Sequence, residues 1–148
     1  MKVPGLDGTG KMSKSENQNA TLYLADTDEV IRKKVMKAKT DTGPTRKNSE
    51  KPEEINNIFM LMKLVSAPDT VKKFDEDYAH CIIRYGDLKK QLAEDIIKFI
   101  SPIREKAKAI YNDEKYLNQL VEKSTEKAGK SAEETIRLAR EIIGLKYF

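Results

Sequence analysis

The sequence predicts a mainly α protein, an antiparallel bundle of helices. Three observations carry that reading. No run after residue 25 alternates apolar and polar residues as a half-buried strand does. Apolar residues instead recur every three or four positions, most regularly from Leu88 to Ile110. Prolines, acidic residues and glycines stand where helices start and stop. Only Met1 to Pro4 leaves room for the tail of a strand.

The first helix is expected in ADTDEVIRKKVMKA, residues 25–38. Asp26 or Thr27 can cap it, Asp28 and Glu29 suit its first turn, and lysines gather late, as the helix dipole favours. Ile31, Val35 and Ala38 form its apolar face. TDTGPTRKNSEKP, residues 40–52, reads as a loop because it lacks apolar residues and contains the turn pair Gly43-Pro44. Pro52 then opens a helix, with Glu53 and Glu54 behind it and Ile55, Ile58, Phe59, Met62 and Val65 at helical spacing. Its methionines read as core before binding surface.

A short helix follows from Pro68 and Asp69, with Val71, Phe74 and Tyr78 inward. The longest stripe comes next: Leu88, Leu92, Ile96, Phe99, Ile103, Ala107 and Ile110. Pro102 lies within it and is expected to kink or divide the helix near Ser101, since proline removes a donor and crowds the preceding turn. The last helix is expected from Asp113 to Ile143, with room for a break at Ala128-Gly129. Its small-residue stripe, Ala128, Ala132, Thr135 and Ala139, would admit a close neighbour. Gly144 suits a C-terminal cap.

Charged residues make up 35% of the chain against 39% apolar, a balance typical of a soluble, surface-rich helical protein. The longest apolar run, IFMLM, is too short to span a bilayer, and no signal-peptide pattern opens the chain. A cytoplasmic protein without membrane attachment is the default, and the lone cysteine agrees with it. His80 and Cys81 do not supply the four ligands of a structural zinc. They read as a helix-end histidine beside a buried thiol. The net charge of +4 is confined to one end: residues 2–51 hold 11 Lys/Arg against 7 Asp/Glu, while residues 52–148 hold 17 of each. Either a polyanion meets that end, or it is ordinary solvated surface.

GTGKMSKSENQN, residues 8–19, has no apolar period and cannot be buried as a helix or strand face. Lys11 and Lys14 are compact charges on flexible stems, suited to phosphate oxygens. Gly8 and Gly10 allow hinging, and Ser13 and Ser15 add hydroxyls. Such a loop could neutralise charge migrating onto a leaving pyrophosphate. By composition alone, such a loop is more often a solvated linker or a flexible terminus than a catalytic element. The glycine-to-lysine spacing excludes a Walker A loop.

The pentapeptide KMSKS, Lys11 to Ser15, is identical to the signature of class I aminoacyl-tRNA synthetases. With GKMSKSENQN, IRKKVMKAKTDTGP and GDLKKQLAEDIIKFISPIREKA around it, nearly the whole chain resembles bacterial-type tryptophanyl-tRNA synthetases. TDTGP at 40–44 and SPIRE at 101–105 favour these over the related tyrosyl-tRNA synthetases. The resemblance implies ATP-dependent activation of tryptophan and its transfer to tRNA(Trp). It makes Lys11, Met12, Ser13, Lys14 and Ser15 the ATP-contacting loop, with Lys11 and Lys14 catalytic and Lys14 the main partner of the pyrophosphate. Gly10 and Asn17 are supports, and magnesium travels mainly on the nucleotide phosphates.

It further implies that residues 1–19 are the tail of a Rossmann-type catalytic domain and residues 20–148 a helical, anticodon-binding domain. No HIGH-like motif or tryptophan pocket occurs, so a C-terminal fragment is expected, inactive alone and missing its N-terminal catalytic domain. The intact enzyme is expected to be a homodimer. Lys33, Lys34, Lys37, Lys39, Arg46, Lys47 and Lys51 are candidates for tRNA phosphates. Asn56, Asn57, Arg84 and Tyr85 are candidates for anticodon bases, though the sequence does not choose among them and packing or solvation accounts for each at least as well. A stand-alone helical RNA-binding module and a purely structural bundle are the competing readings.

Overall fold

The computed structural model describes residues 3–8, 11–13 and 17–145, and these form five helices and no strand. The helices are α1 (Asp28–Met36), α2 (Glu53–Val65), α3 (Pro68–Ala79), α4 (Tyr85–Tyr111) and α5 (Glu114–Ile142). The chain divides into two compact units, Met1–Arg104 and Glu105–Phe148.

Local chemistry accounts for the helix ends of the first unit. Thr27 is the N-cap of α1, its side chain accepting from the Val30 amide, while Asp28 and Glu29 sit at the positive end of the dipole. Pro52 is the N-cap of α2, one position before the first helical residue. Pro68 begins α3, where its missing N–H costs nothing. The Arg84 carbonyl receives the Leu88 amide at 3.1 Å at the start of α4.

The core of this unit draws on every helix within it. Ile31 and Val35 of α1, Ile55, Ile58, Phe59 and Met62 of α2, Phe74 and Tyr78 of α3, and Leu88, Leu92 and Ile96 of α4 are buried together. Phe59 and Tyr78 meet edge to face, ring centroids 6.4 Å apart at 81°. Such pairs contribute roughly 0.5–1.5 kcal/mol beyond their buried area. Leu6 and Ala20, from the segment before α1, complete the cluster.

Helix α4 is not divided at Pro102, one of the two outcomes expected there, and its buried face differs from the expected one. The turn after the proline is fixed by Arg104, whose guanidinium donates to the Asp26 carbonyl and to Asp28 Oδ1. Its buried face also follows steps of four, Leu88, Leu92, Ile96 and Ile100, flanked by Lys89, Ala93 and Ile97. Phe99, Ile103 and Ile110, each expected inside, lie off that row and are exposed.

In the second unit α5 is one unbroken helix, continuous through Ala128-Gly129. Asp113 caps it by accepting the Tyr116 amide at 2.9 Å. None of its residues is buried, the small residues Ala128, Ala132, Thr135 and Ala139 included. At its end the Leu145 amide donates to the Arg140 carbonyl and the Gly144 amide to that of Glu141, with Gly144 at φ +75°. That is a Schellman cap, and it explains the glycine.

Cys81 is exposed, not buried as expected. It occupies the left-handed position that closes α3, at φ +60°, with the Ile82 amide bonded to the Asp77 carbonyl. His80 is likewise exposed at the helix end.

Candidate functional site

The segment around the KMSKS pentapeptide is tied to the first unit at its base. The Leu6 amide donates to the Ala20 carbonyl at 3.0 Å, and the Leu6 carbonyl accepts from the Lys39 amide at 2.8 Å. Leu6 therefore bridges the far end of the segment to the loop after α1. Gly8, at φ +84°, sits where an added Cβ would lie 3.5 Å from Glu54 Cβ of α2, a conformation that favours glycine. The Met12 amide donates to the Val3 carbonyl at 2.8 Å, and the Met12 side chain packs partly against the core.

Lys11 is exposed, and Ser13 is half-buried. The Thr21 hydroxyl lies 3.0 Å from the Ser13 carbonyl and 3.1 Å from that of Asn17, sharing its proton between them. Asn17 organises its own turn, accepting the Asn19 amide on Oδ1 and donating from Nδ2 to Asp7. Lys14 and Ser15, with Gly10, lie outside the described residues.

The loop after α1 is gripped from α4. Lys89 donates from Nζ to the Ala38 carbonyl at 2.7 Å and reaches Thr40 Oγ1 at 3.3 Å. Its burial disfavours the charged form and lowers its pKa. Tyr85 donates its hydroxyl to Asp41 Oδ1 at 2.5 Å. Burial raises the Tyr85 pKa, and the bond to the Asp41 carboxylate raises it further. Asp41 also accepts the Gly43 amide at 3.0 Å, forming the turn in TDTGP.

The basic candidates separate into two groups. Lys33, Lys37, Lys39, Arg46 and Lys47 are exposed. Lys34 and Lys51 are engaged within the fold. Lys34 Nζ lies 2.7 Å from Asp26 Oδ2, 2.8 Å from the Thr21 carbonyl and 4.7 Å from the centre of the Tyr23 ring. Lys51 pairs with Asp75 at 2.6 Å while lying over the rings of Phe59 and Tyr78. Arg32, on the same helix as Lys33, makes a two-pronged pair with Glu94 and holds that carboxyl below its usual range.

Of the residues considered for reading bases, Asn56 and Arg84 are exposed, Tyr85 is half-buried, and Asn57 is buried on α2. At 8% exposure Asn57 presents no edge to a nucleic acid, and its Nδ2 has no hydrogen-bond partner.

Thr21, Lys89 and Arg104 do structural work that periodicity does not signal. Each is a polar side chain that bonds a backbone carbonyl, distant in sequence for Lys89 and Arg104 and four and eight residues back for Thr21. The one hint is Lys89 itself, which lies beside Leu88 and one turn before Ala93 on the face that becomes buried.

The family model for class I tRNA synthetases (W and Y) matches residues 2–101. The tryptophan–tRNA ligase of Porphyromonas gingivalis is 50% identical over 146 residues, covering 99% of this chain and 44% of that protein. That of Clostridium perfringens is 34% identical over 143 residues, covering 94% of this chain and 41% of the relative. The chain thus spans less than half the length of the relatives it matches. A crystal structure of tryptophanyl-tRNA synthetase from Campylobacter jejuni, complexed with ADP and tryptophan, superposes with a TM-score of 0.77 at 27% identity, over 98% of this chain and 44% of that one. The family match over two thirds of the sequence, joined by those relatives, means that this chain belongs to the class I tRNA synthetases of the W and Y type, among the bacterial-type tryptophanyl-tRNA synthetases.

Proposed function

We propose that this chain works as part of a tryptophan–tRNA ligase, activating tryptophan with ATP and transferring it to tRNA(Trp). Residues 1–19 then close a nucleotide-binding domain, and residues 20–148 form the helical part that meets tRNA. Lys11, Met12, Ser13, Lys14 and Ser15 act as the phosphate loop. The observation that supports this most is the anchoring of Met12 and Ser13 by backbone and hydroxyl bonds, which leaves the adjacent Lys11 exposed. An ammonium on a fixed base suits phosphate oxygens whose charge grows in the transition state. Magnesium would ride on the same phosphates, with the lysines sharing the charge.

Lys33, Lys37, Lys39, Arg46 and Lys47 would contact tRNA phosphates, which position the nucleic acid without reading it. Lys34 and Lys51 are left out of that role because their ammoniums already serve the fold. The 148 residues alone are expected to be inactive, and the complete ligase to be a cytoplasmic homodimer.

The test uses the whole enzyme whose reading frame encodes this chain. Lys14→Ala should slow tryptophan-dependent ATP–pyrophosphate exchange by about 10²–10³ while leaving the tryptophan KM nearly unchanged. Equal losses in both would remove the transition-state role. Exchange that depends on tyrosine in place of tryptophan would overturn the choice of substrate. Equal binding to tRNA with and without a CCA anticodon would favour a general RNA-binding module.

A further inference from the structure

We propose that Thr21 is a positioning residue for the segment Lys11–Ser13, and that Lys34 holds Thr21 in place; the inference rests on the phosphate-loop reading above. Thr21 is 6% exposed, so its hydroxyl bonds within the fold and not in open solvent. A hydroxyl in such a place is kept bonded, and its two acceptors are the Ser13 carbonyl at 3.0 Å and the Asn17 carbonyl at 3.1 Å, so it ties both ends of the segment 13–17 to one point.

The residue is itself fixed from behind. Its carbonyl accepts from Lys34 Nζ at 2.8 Å, and the same ammonium pairs with Asp26 Oδ2 at 2.7 Å. The Asp26 carbonyl accepts in turn from Arg104 of α4. The preceding residue, Ala20, is bonded through its carbonyl to Leu6. Thr21 therefore stands on a backbone pinned from α1, α4 and the opening segment together.

The consequence falls on Lys11. The Ser13 carbonyl is held by Thr21, and the Met12 amide is held by Val3 at 2.8 Å. Two fixed points in the two residues that follow tie the C-terminal side of Lys11 to the fold. Its ammonium is then presented to phosphate with little further ordering, which is how positioning lowers a barrier. Releasing the Ser13 carbonyl would not remove any charge, but it would let that charge wander.

The experiment has two arms. In the complete ligase, Thr21→Val keeps the shape and deletes the hydroxyl, whereas Thr21→Ser keeps the hydroxyl. The valine variant should lower kcat for ATP–pyrophosphate exchange by about tenfold or more, with the tryptophan KM unchanged. The serine variant should recover to within about threefold of the parent, as rescue of a hydrogen bond requires. Loss in both variants alike, or in neither, overturns the proposal.

In the 148-residue chain, amide hydrogen exchange reports the anchoring directly. Thr21→Val and Lys34→Met should both speed exchange at the Met12 amide while leaving the α2 amides protected. Unchanged exchange at Met12 overturns the proposal even if the chain is fully folded. If the unsubstituted enzyme lacked tryptophan-dependent exchange, the functional reading would fall, and the Met12 amide would still decide whether Thr21 anchors the segment.

Discussion

Tyr85 of α4 donates its hydroxyl to Asp41 Oδ1 at 2.5 Å, joining the N-terminus of the longest helix in the first unit to the turn that follows α1. Four residues away, Lys89 takes the Ala38 carbonyl of the same loop. The loop's Lys39 amide bonds Leu6, and Leu6 bonds Ala20. A continuous set of hydrogen bonds therefore leads from α4 to the base of the KMSKS segment.

The Tyr85 bond has a defined pH signature. Its folded-state pKa is raised, first by burial and then by Asp41, above the ordinary value of 10.0. The folded state thus holds the proton more tightly than the unfolded chain does. The stabilisation is complete below about pH 10 and declines as pH rises above it. Tyr85→Phe should cost about 1–2 kcal/mol near neutrality, by loss of a bond to a carboxylate. The gap between parent and variant, read from urea midpoints, should narrow above about pH 10. Lys89, whose lowered pKa has the opposite effect at high pH, is common to both proteins and cancels.

Cys81 offers a stabilising substitution. It adopts φ +60° at the position after the α3 C-cap, where the Cys81 amide bonds the Tyr78 carbonyl and the Ile82 amide bonds that of Asp77. Glycine occupies the equivalent place after α5, at Gly144. A side chain in the left-handed region costs of order 1 kcal/mol, which glycine avoids at the expense of a looser unfolded chain. Cys81→Gly should raise stability by about 0.5–1 kcal/mol, seen as a higher thermal midpoint. A fall in midpoint would show that the exposed thiol contributes contacts worth more than the strain.

The contrast between what the sequence disclosed and what it hid follows from the range of each interaction. Thr27, Pro52, Pro68 and Gly144 act within one turn of their own helix, and all four were legible. Ile31, Val35, Ile58 and Tyr78 were legible too, because a helix facing one core shows its period. The period misled at Phe99 and Ile103. A row advancing by four and one advancing by four and three share Leu88, Leu92 and Ile96, and only the packing partner separates them. Asn57 was left open by the sequence between reading a base and packing, and only the structure decides it: it lies in the buried face of α2 with its Nδ2 unpartnered. At the candidate site, Lys11 to Ser13 were marked by their wording. Thr21 was not, since a threonine in a polar stretch looks the same whether or not its hydroxyl holds a carbonyl.

Pro102 provides the last test, because the helix around it is intact although the residue opposes it. The pyrrolidine has no N–H, so the carbonyl one turn earlier, at Lys98, receives no amide from position 102. Packing of Ile96, Ile97 and Ile100 holds the turn before it, and Arg104, bonded to the Asp26 carbonyl and Asp28, holds the turn after. Pro102 itself is exposed, so alanine there removes no core contact. Interior proline costs roughly 3 kcal/mol relative to alanine in an unconstrained helix, and part of that has already been absorbed by local adjustment. Pro102→Ala should therefore stabilise the chain by about 1–2 kcal/mol, measured by urea unfolding, and should add protection to the amide at position 102. In Arg104→Met the turn after the proline loses its tether, and the same Pro102→Ala change should then stabilise by more than it does in the parent. An equal gain in both backgrounds would mean that Arg104 does nothing to keep α4 continuous through the proline.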